Sequence, residues 1–454
     1  MPIPDVEPTE PQPTAAEAGR AARKVVPRSG LAGWEPAPDR ADPIEILERQ
    51  AATRVPELVR IRYARMAAGQ FPYYRGAPAI MAADLAQGPN TGLTVQLCGD
   101  AHLSNFGLFA SPERALVFDL NDFDETLPGP FEWDVKRLAA SVVVAARANG
   151  CSDTDAAAGA RAAARAYRET MTRLAGIGET DVWYEKVDAE KVAALVGRDA
   201  RKATAKVLDK ARSRTSMQAL EKLTEPGPDG APCIRHDPPL IMPISTIEAA
   251  AVDSVLSDYR ASLPEERRVL LDRYRLRDTA MKVVGVGSVG TRCFIALFIG
   301  RTTGDPLFLQ VKQAEDSVLT PHTRSSVFRH QGHRVVHGQR LTQTAGDIFL
   351  GWATGPDGRH YYWRQLRDMK GSATIEDMGA PQLQQYAALC GHTLARGHAR
   401  SGDRVAIASY LGSGPGFDHA IADFALAYAD QTAIDHAALL AAIESGRLDA
   451  AESI

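Results

Sequence analysis

The sequence is short of several things that would assign it quickly to a class. Cysteine is rare, five in 454 residues: Cys98, Cys151, Cys233, Cys293 and Cys390. They are odd in number, scattered and free of any CxxC pair, which argues against a disulfide framework and a cysteine zinc site. No run of 18 apolar residues occurs, so no transmembrane helix is expected. The first residues, Met-Pro-Ile-Pro-Asp-Val-Glu-Pro, lack the basic and apolar stretches of a signal peptide, and a cytoplasmic location is expected. Charge of one sign is also scarce: 52 Lys plus Arg stand against 56 Asp plus Glu, a net of −4. That balance speaks against coating DNA or an anionic membrane as the main role. Neither a membrane nor a nucleic acid is the expected partner. Lysine is scarce within the basic set, 11 of 52, so a lysine inside an apolar strand stands out.

What is present is ordinary for a globular chain: 45% hydrophobic and 24% charged residues. The length suits two or three folding units of roughly 100–200 residues. Residues 1–42, rich in Pro, Ala, Glu and Arg, read as a tail that is disordered or draped over a surface. From Pro43 to Ala68 apolar residues recur at helical spacing. Leu93 to Cys98 reads as a buried strand. Phe106–Phe109 and Ala115–Leu120 flank the turn Ser111-Pro-Glu-Arg114 and read as a hairpin. Trp133–Ala148 reads as a helix, and Thr154–Leu223 as a long helical region. Strands return at 280–284, 292–299 and 307–312. A second hairpin is expected from 348–352 and 361–366 across Gly355-Pro-Asp-Gly358. After Pro381 the pattern is helical again. The resulting expectation is an α+β fold.

Two constellations can carry chemistry. The first is Gly99-Asp100-Ala-His102-Leu-Ser-Asn105, just after a strand. An aspartate followed five residues later by an asparagine supplies what phosphoryl transfer needs. The carboxylate orients or accepts the nucleophile's proton, and the carboxamide oxygen ligates Mg²⁺. About 20 residues on comes Asp119-Leu-Asn-Asp122-Phe-Asp124-Glu125, where a carboxylate at a strand end could hold Mg²⁺ bridging two phosphates. Taken alone, 122–125 reads as a solvated acidic turn and His102 as a structural hydrogen bonder. Together the two stretches favour a metal–phosphate site.

The second constellation is Gly285-Val-Gly287-Ser-Val-Gly290. A dinucleotide fingerprint of this form runs into a helix. Here it runs into the β-rich Cys293–Ile299, as in a kinase glycine loop folded over ATP phosphates. Lys312, in Phe308-Leu-Gln-Val-Lys312, lies 22 residues past Gly290, where such a site needs a lysine for the phosphates. Otherwise the glycines merely permit positive φ, but an ammonium in an apolar strand is costly unless paired.

Gly99-Asp-Ala-His-Leu-Ser-Asn105 resembles the GDxHxxN loop of aminoglycoside and choline phosphotransferases. Asp122-Phe-Asp-Glu125, with Gly129-Pro130 and Trp133-Asp134-Val-Lys-Arg-Leu138, resembles their metal-binding stretch. Residues 43–150 and 278–430 also resemble a bacterial family, domain of unknown function 2252. The shared strings are Cys98-Gly-Asp-Ala-His, Asn105-Phe-Gly, Asn121-Asp-Phe-Asp-Glu, Arg364-Gln-Leu-Arg-Asp-Met-Lys370 and Leu394-Ala-Arg-Gly-His-Ala-Arg400.

These resemblances imply a two-lobed protein-kinase-like fold in permuted order, because the glycine loop and lysine follow the catalytic loop by about 180 residues instead of preceding it. Permutation is tolerable where the original termini lie close together at the surface. The implied division is a tail over 1–42, the catalytic-loop and metal part of the C-lobe over 43–150, and a mostly helical insertion or cap over 151–277. A β-rich ATP-binding part over 278–375 and a C-terminal helical part over 376–454 follow. Asp100 is then the catalytic base with His102 beside it, Asn105 a metal ligand, and either Asp119 or Asp122 the second. Gly285, Gly287, Gly290 and Lys312 would bind the triphosphate, and 361–366 would lead to an adenine-binding hinge near 367–370. In place of the histidine that usually precedes the Gly-Asp pair stands Cys98. The implied function is ATP- and Mg²⁺-dependent phosphate transfer to a hydroxyl of a small molecule. The alternatives are a non-catalytic nucleotide-binding or scaffold protein and an enzyme that transfers AMP. His330, His333 and His337 read as a helix face that is solvated or near phosphate, with zinc binding the lesser reading. Arg198–Lys222 reads as a solvated basic face or a basic cap. Arg75, in Tyr73-Tyr-Arg75-Gly76, is expected to meet a phosphate or a core carboxylate.

Overall fold

Proline punctuation sets the first helices. Asp42 caps α2 (Pro43–Ala51), accepting the Ile44 N–H at 2.8 Å, with Pro43 at the first helical position. Pro56 disfavours helical geometry at Val55. The single helical pattern expected over 43–68 is therefore two helices, α2 and α3 (Pro56–Ala67). These belong to a computed structural model that describes residues 13–188, 192, 201–283, 285–366 and 369–451. Ahead of them α1 (Ala15–Val25) lies on the surface, and Arg23 and Arg28 donate to the carbonyls of Tyr410 and Leu411. After α3 come α4 (Gln70–Gly76) and α5 (Pro78–Gln87).

The site-bearing stretch is short strands and one long helix. β1 (Thr94–Leu97) pairs antiparallel with β4 (Leu127–Pro130), and β2 (Phe106–Ala110) with β3 (Leu116–Leu120). The latter is the hairpin expected around 111–114. α6 (Phe131–Ala148) is buried over almost its whole length. It packs with α7 (Asp153–Ala175) in the largest core of the molecule.

The chain then runs through α8 (Glu179–Tyr184), α9 (Arg201–Arg212), α10 (Ser216–Leu223), the β5–β6 pair (Thr224–Pro226, Pro232–Ile234), β7 (Ile241–Pro243), α11 (Thr246–Ser262) and α12 (Glu265–Leu271). Next come β8 (Tyr274–Lys282), β9 (Cys293–Gly300), β10 (Pro306–Ala314), α13 (Gln331–Thr342), β11 (Gly351–Thr354) and β12 (His360–Gln365). α14 (Ala380–Ser401), α15 (Arg404–Leu411) and α16 (Gly416–Glu444) complete the fold.

The architecture is α+β. Six strands form one antiparallel sheet in the order β11-β12-β10-β9-β8-β7. Period-two alternation covers both faces. Ala296, Phe298, Leu309 and Val311 pack on Tyr259 of α11, and Ile295, Leu297 and Phe308 pack on Ala219 and Leu223 of α10. Lys312 follows Val311 on β10 and so points to the opposite face. α13 lies against this sheet and reaches the acidic turn, since Arg334 donates to the carbonyls of Thr126 at 2.6 Å and Asp124 at 2.8 Å. Among the described residues no helix is long and apolar enough to cross a membrane.

α7, within the stretch 151–277 read from the sequence as a helical insertion or cap, packs against α6, α14 and α16. Its small residues allow close approach: a Cβ on Gly391 of α14 would collide with the Ala163 carbonyl of α7. Gly391→Ala should therefore destabilise by about 1–3 kcal/mol, although helix propensity alone favours alanine by about 1 kcal/mol. Thermal denaturation of the variant gives the sign.

Candidate functional site

Asp100 and Asn105 sit on the loop after β1. Gly99 starts it at φ +84°, and a Cβ there would strike the Glu125 backbone, so the position needs glycine. Asp134 of α6 pins the loop by accepting the N–H groups of Cys98 at 2.8 Å and Gly99 at 3.1 Å. Behind it His398 Nε2 lies 3.2 Å from Asp134 Oδ2, and the Tyr167 hydroxyl 2.9 Å from His398 Nδ1. The carboxylate accepts, so the proton is assigned to Nε2 and Tyr167 donates to Nδ1.

Arg137, also on α6, donates to Asp100 Oδ1 from Nε at 2.8 Å, with Nη2 at 2.7 Å. It is itself held over the Tyr74 ring and by the Tyr74 carbonyl. Burial pushes Asp100 up to about 6 despite this guanidinium. His102 Nδ1 accepts the Ser104 N–H at 3.2 Å, while Nε2 lies 3.6 Å from Asp100 Oδ2, beyond hydrogen-bond range. Burial, then Arg75 and Arg137, lower the His102 pKa well below its usual value, so the ring is neutral. Asn105 spends Nδ2 on the Asp100 carbonyl at 2.7 Å. Its Oδ1 has no bond among the described residues and is available to a ligand.

Lys312 enters this cluster from the sheet. Its ammonium lies 2.5 Å from Asp124 and 3.5 Å from Asp122. The Tyr362 hydroxyl donates to the other Asp124 oxygen at 2.6 Å. Burial acts to lower the lysine pKa, but the two carboxylates outweigh it and raise it well above normal. Likewise burial works against the Asp122 charge, and Lys312 with Arg364 holds it low. The partner of Lys312 is thus an aspartate of the acidic turn.

Asp119 does not join the others. It is 1% exposed and pairs with Arg396, which is 0% exposed; Oδ2 accepts the Thr344 N–H at 3.0 Å. Both its oxygens are occupied away from the cleft.

The glycine run joins β8 to β9, which are antiparallel. Gly285 (φ +68°) and Gly290 (φ +93°) are in the left-handed region. The run leans on the N-terminal helices. The Gly290 carbonyl accepts the Val55 N–H at 2.8 Å, and Arg54 and Arg65 reach the Val289 and Gly285 carbonyls, each at 2.5 Å. Ser288 Oγ comes within 3.4 Å of Asp124. Between these parts lies a cleft of about 770 Å³, lined by Asp100, His102, Asn105, Asp122, Asp124 and Glu125 and by Gly285, Gly287 and Ser288.

Other expected positions lie elsewhere. Arg367 and Asp368 of the expected hinge are outside the described residues. Next to them, Arg214 donates to the Lys370 carbonyl and accepts the Met369 N–H on its own carbonyl, so this stretch is covered and does not line the cleft. Arg198 is likewise outside the described residues, and no described residue of the basic stretch lines the cleft. His330 stacks on His360, His333 on Trp352, and His337 tilts against Phe328. They build an aromatic cluster. Among the described residues no three His, Cys, Asp or Glu side chains group to hold a metal unaided. Mg²⁺ commonly takes one or two carboxylates and completes its shell with water and phosphate. The free Asn105 Oδ1 with Asp122 is a donor set that fits it.

Sequence reasoning missed the supports: Arg137 on Asp100, His398 on Asp134 and Arg396 on Asp119. The last two lie in the string 394–400, whose residues at i and i+2 meet two buried aspartates. Mixed charge within a buried helix was the available signal.

Glu125 adds a pH dependence. Its carboxylate accepts the Val318 N–H at 2.7 Å, yet burial pushes it up to about 7. For Asp100 and Glu125 the folded state holds the proton more tightly than the unfolded chain. Their stabilisation is present at low pH and is lost as pH rises through about 6 and 7. Each costs on the order of 2–3 kcal/mol once ionised. Glu125→Gln should unfold at a higher temperature than wild type at pH 8 and at the same temperature near pH 4, as read by thermal denaturation.

A family model described as an uncharacterized protein conserved in bacteria (DUF2252) matches residues 54–442, and the chain belongs to that family. No curated protein and no solved structure matches it.

Proposed function

We propose that this family member is an ATP- and Mg²⁺-dependent phosphotransferase with a permuted kinase-like arrangement, acting on a hydroxyl of a small molecule. One observation carries the reading. Asp100, Asn105, Asp122 and Asp124 line the same cleft as the glycine run, about 180 residues later in the chain, and Asp124 meets both Ser288 of that run and Lys312 of β10.

In this reading Asn105 Oδ1 and Asp122 hold the metal, which when bound neutralises phosphate charge. Asp119, already paired, has no part in it. The glycine run and Lys312 hold the triphosphate. Arg137 fixes Asp100 through Oδ1, leaving Oδ2 to take the acceptor's proton. The acceptor oxygen bonds to the γ-phosphorus as the bond to the β–γ bridging oxygen breaks, and ADP leaves. A carboxylate pushed to about 6 suits a general base near neutral pH. Neutral His102 stands beside it and shapes its pocket.

Calorimetry with ATP is expected to show binding that requires Mg²⁺. Asp100→Asn should keep that binding and lose about 10²–10⁴-fold in phosphate transfer from labelled ATP to a metabolite extract. A wild-type protein that binds no nucleotide would end the reading. A variant that keeps its cellular phenotype would favour a scaffold instead.

A further inference from the structure

The cleft that holds the carboxylates is also lined by arginine. Arg54 precedes α3, Arg62 lies on it and Arg75 on α4, and all three line the cleft. Their partners are neutral. Arg62, 0% exposed, donates from Nη2 to Gln50 Oε1 at 2.9 Å and to the Gly76 carbonyl at 3.0 Å. Arg54 donates to the Val289 carbonyl. Four buried nitrogens have no partner among the described residues: Arg54 Nε, Arg62 Nε and Nη1, and Arg75 Nε.

A buried guanidinium without an anion is costly. Burial lowers the pKa of all three, and in Arg54 the fields of Glu315 and Glu125 do not offset it. Elsewhere the fold satisfies its buried arginines, Arg137, Arg168 and Arg396 with a carboxylate and Arg334 with Gln331 and three backbone carbonyls. Arg54, Arg62 and Arg75 keep unpartnered nitrogens, and they open on a cleft. Guanidinium forks match the oxygens of phosphate and carboxylate. Arg75 also follows Tyr74, whose ring and carbonyl hold Arg137 against Asp100. Through Tyr74 the arginines are tied to the proton acceptor, and the field of Asp100 reaches Arg75.

We propose that Arg54, Arg62 and Arg75 form an oxyanion subsite for the acceptor, which is a small hydroxyl compound carrying a phosphate or carboxylate group. This rests on the phosphotransferase reading for the word acceptor, though the subsite itself does not.

The test is thermal unfolding against inorganic phosphate and, separately, acetate, with and without a saturating magnesium complex of a non-hydrolysable ATP analogue. Wild type should be stabilised by one of the two anions, which separates phosphate from carboxylate recognition, and the gain should add to that of the nucleotide. Arg62→Met and Arg75→Met should each weaken the anion response by about tenfold or more. Should Arg62→Met fail to fold, Arg75→Met, whose side chain makes no hydrogen bond among the described residues, decides. No response to either anion in wild type overturns the subsite, and so does an unchanged response in the variants. An anion response that vanishes when the nucleotide is bound overturns the acceptor assignment, because the arginines then serve the nucleotide's own phosphates. A protein that responds to the anion and ignores the nucleotide sinks the kinase reading and keeps the subsite.

Discussion

Arg396→Met is expected to cost about 3–5 kcal/mol, the usual penalty for removing one member of a buried ion pair. Both partners are almost wholly enclosed, with Arg396 0% and Asp119 1% exposed. Without the guanidinium, Asp119 keeps only the N–H groups of Leu120 and Thr344 and a long contact to the Thr344 hydroxyl. These cannot neutralise a carboxylate in a low-dielectric core, and the charge cannot reach water. Methionine matches the length of the arginine stem, so lost packing contributes little. Urea denaturation of wild type and variant measures the difference. The double variant Asp119→Leu/Arg396→Met removes both charges and should recover most of the loss. If the single variant is as stable as wild type, the pair is not what holds β3 to α14. A full recovery by the double variant would also leave Asp119 without a role in metal binding.

Lys312→Met is expected to act on binding more than on folding. The ammonium is 2% exposed, while Asp122 and Asp124 are 29% and 27% exposed at their side chains. Water and cations therefore reach the carboxylates once the lysine is gone, and the stability loss should stay near 2 kcal/mol, within the range for a charged hydrogen bond. Nucleotide binding should fall much further, by about 10²-fold or more, because a desolvated charge–phosphate contact is lost outright. The two aspartates left facing each other should attract Mg²⁺ more strongly than in wild type. Calorimetry should thus show weaker ATP binding and tighter Mg²⁺ binding in the same variant. A variant with unchanged affinity for both would separate Lys312 from the ligand site. Its pairing with Asp124 would then be structural.

The local elements of this protein were legible because their signals are local. The β-rich apolar runs in Cys293–Ile299 and Phe308–Lys312 announced β9 and β10, and Ser111-Pro-Glu-Arg114 announced the turn between β2 and β3. The six-residue loop from Asp100 to Asn105 was readable because its geometry is set by neighbours in the chain, with Gly99 supplying the one backbone conformation it needs. The break at Pro56 was equally present in the residues, yet the apolar spacing over 43–68 masked it.

Residue order alone singled out the candidates for phosphate and metal chemistry. Only the tertiary structure decided which of them meet. Asp119 and Asp122 are three positions apart and carry the same group, but β3 turns one inward to Arg396 and the turn after it leaves the other at the cleft. Lys312 found its partner 188 residues away in Asp124. Arg75 stood out in the sequence, but Arg54 and Arg62 drew attention only once burial left their nitrogens without partners among the described residues. The reason is electrostatic. The worth of a charge depends on its distance to other charges and to water, and those distances are set by how the sheet and helices pack. Separation along the chain carries no information about them.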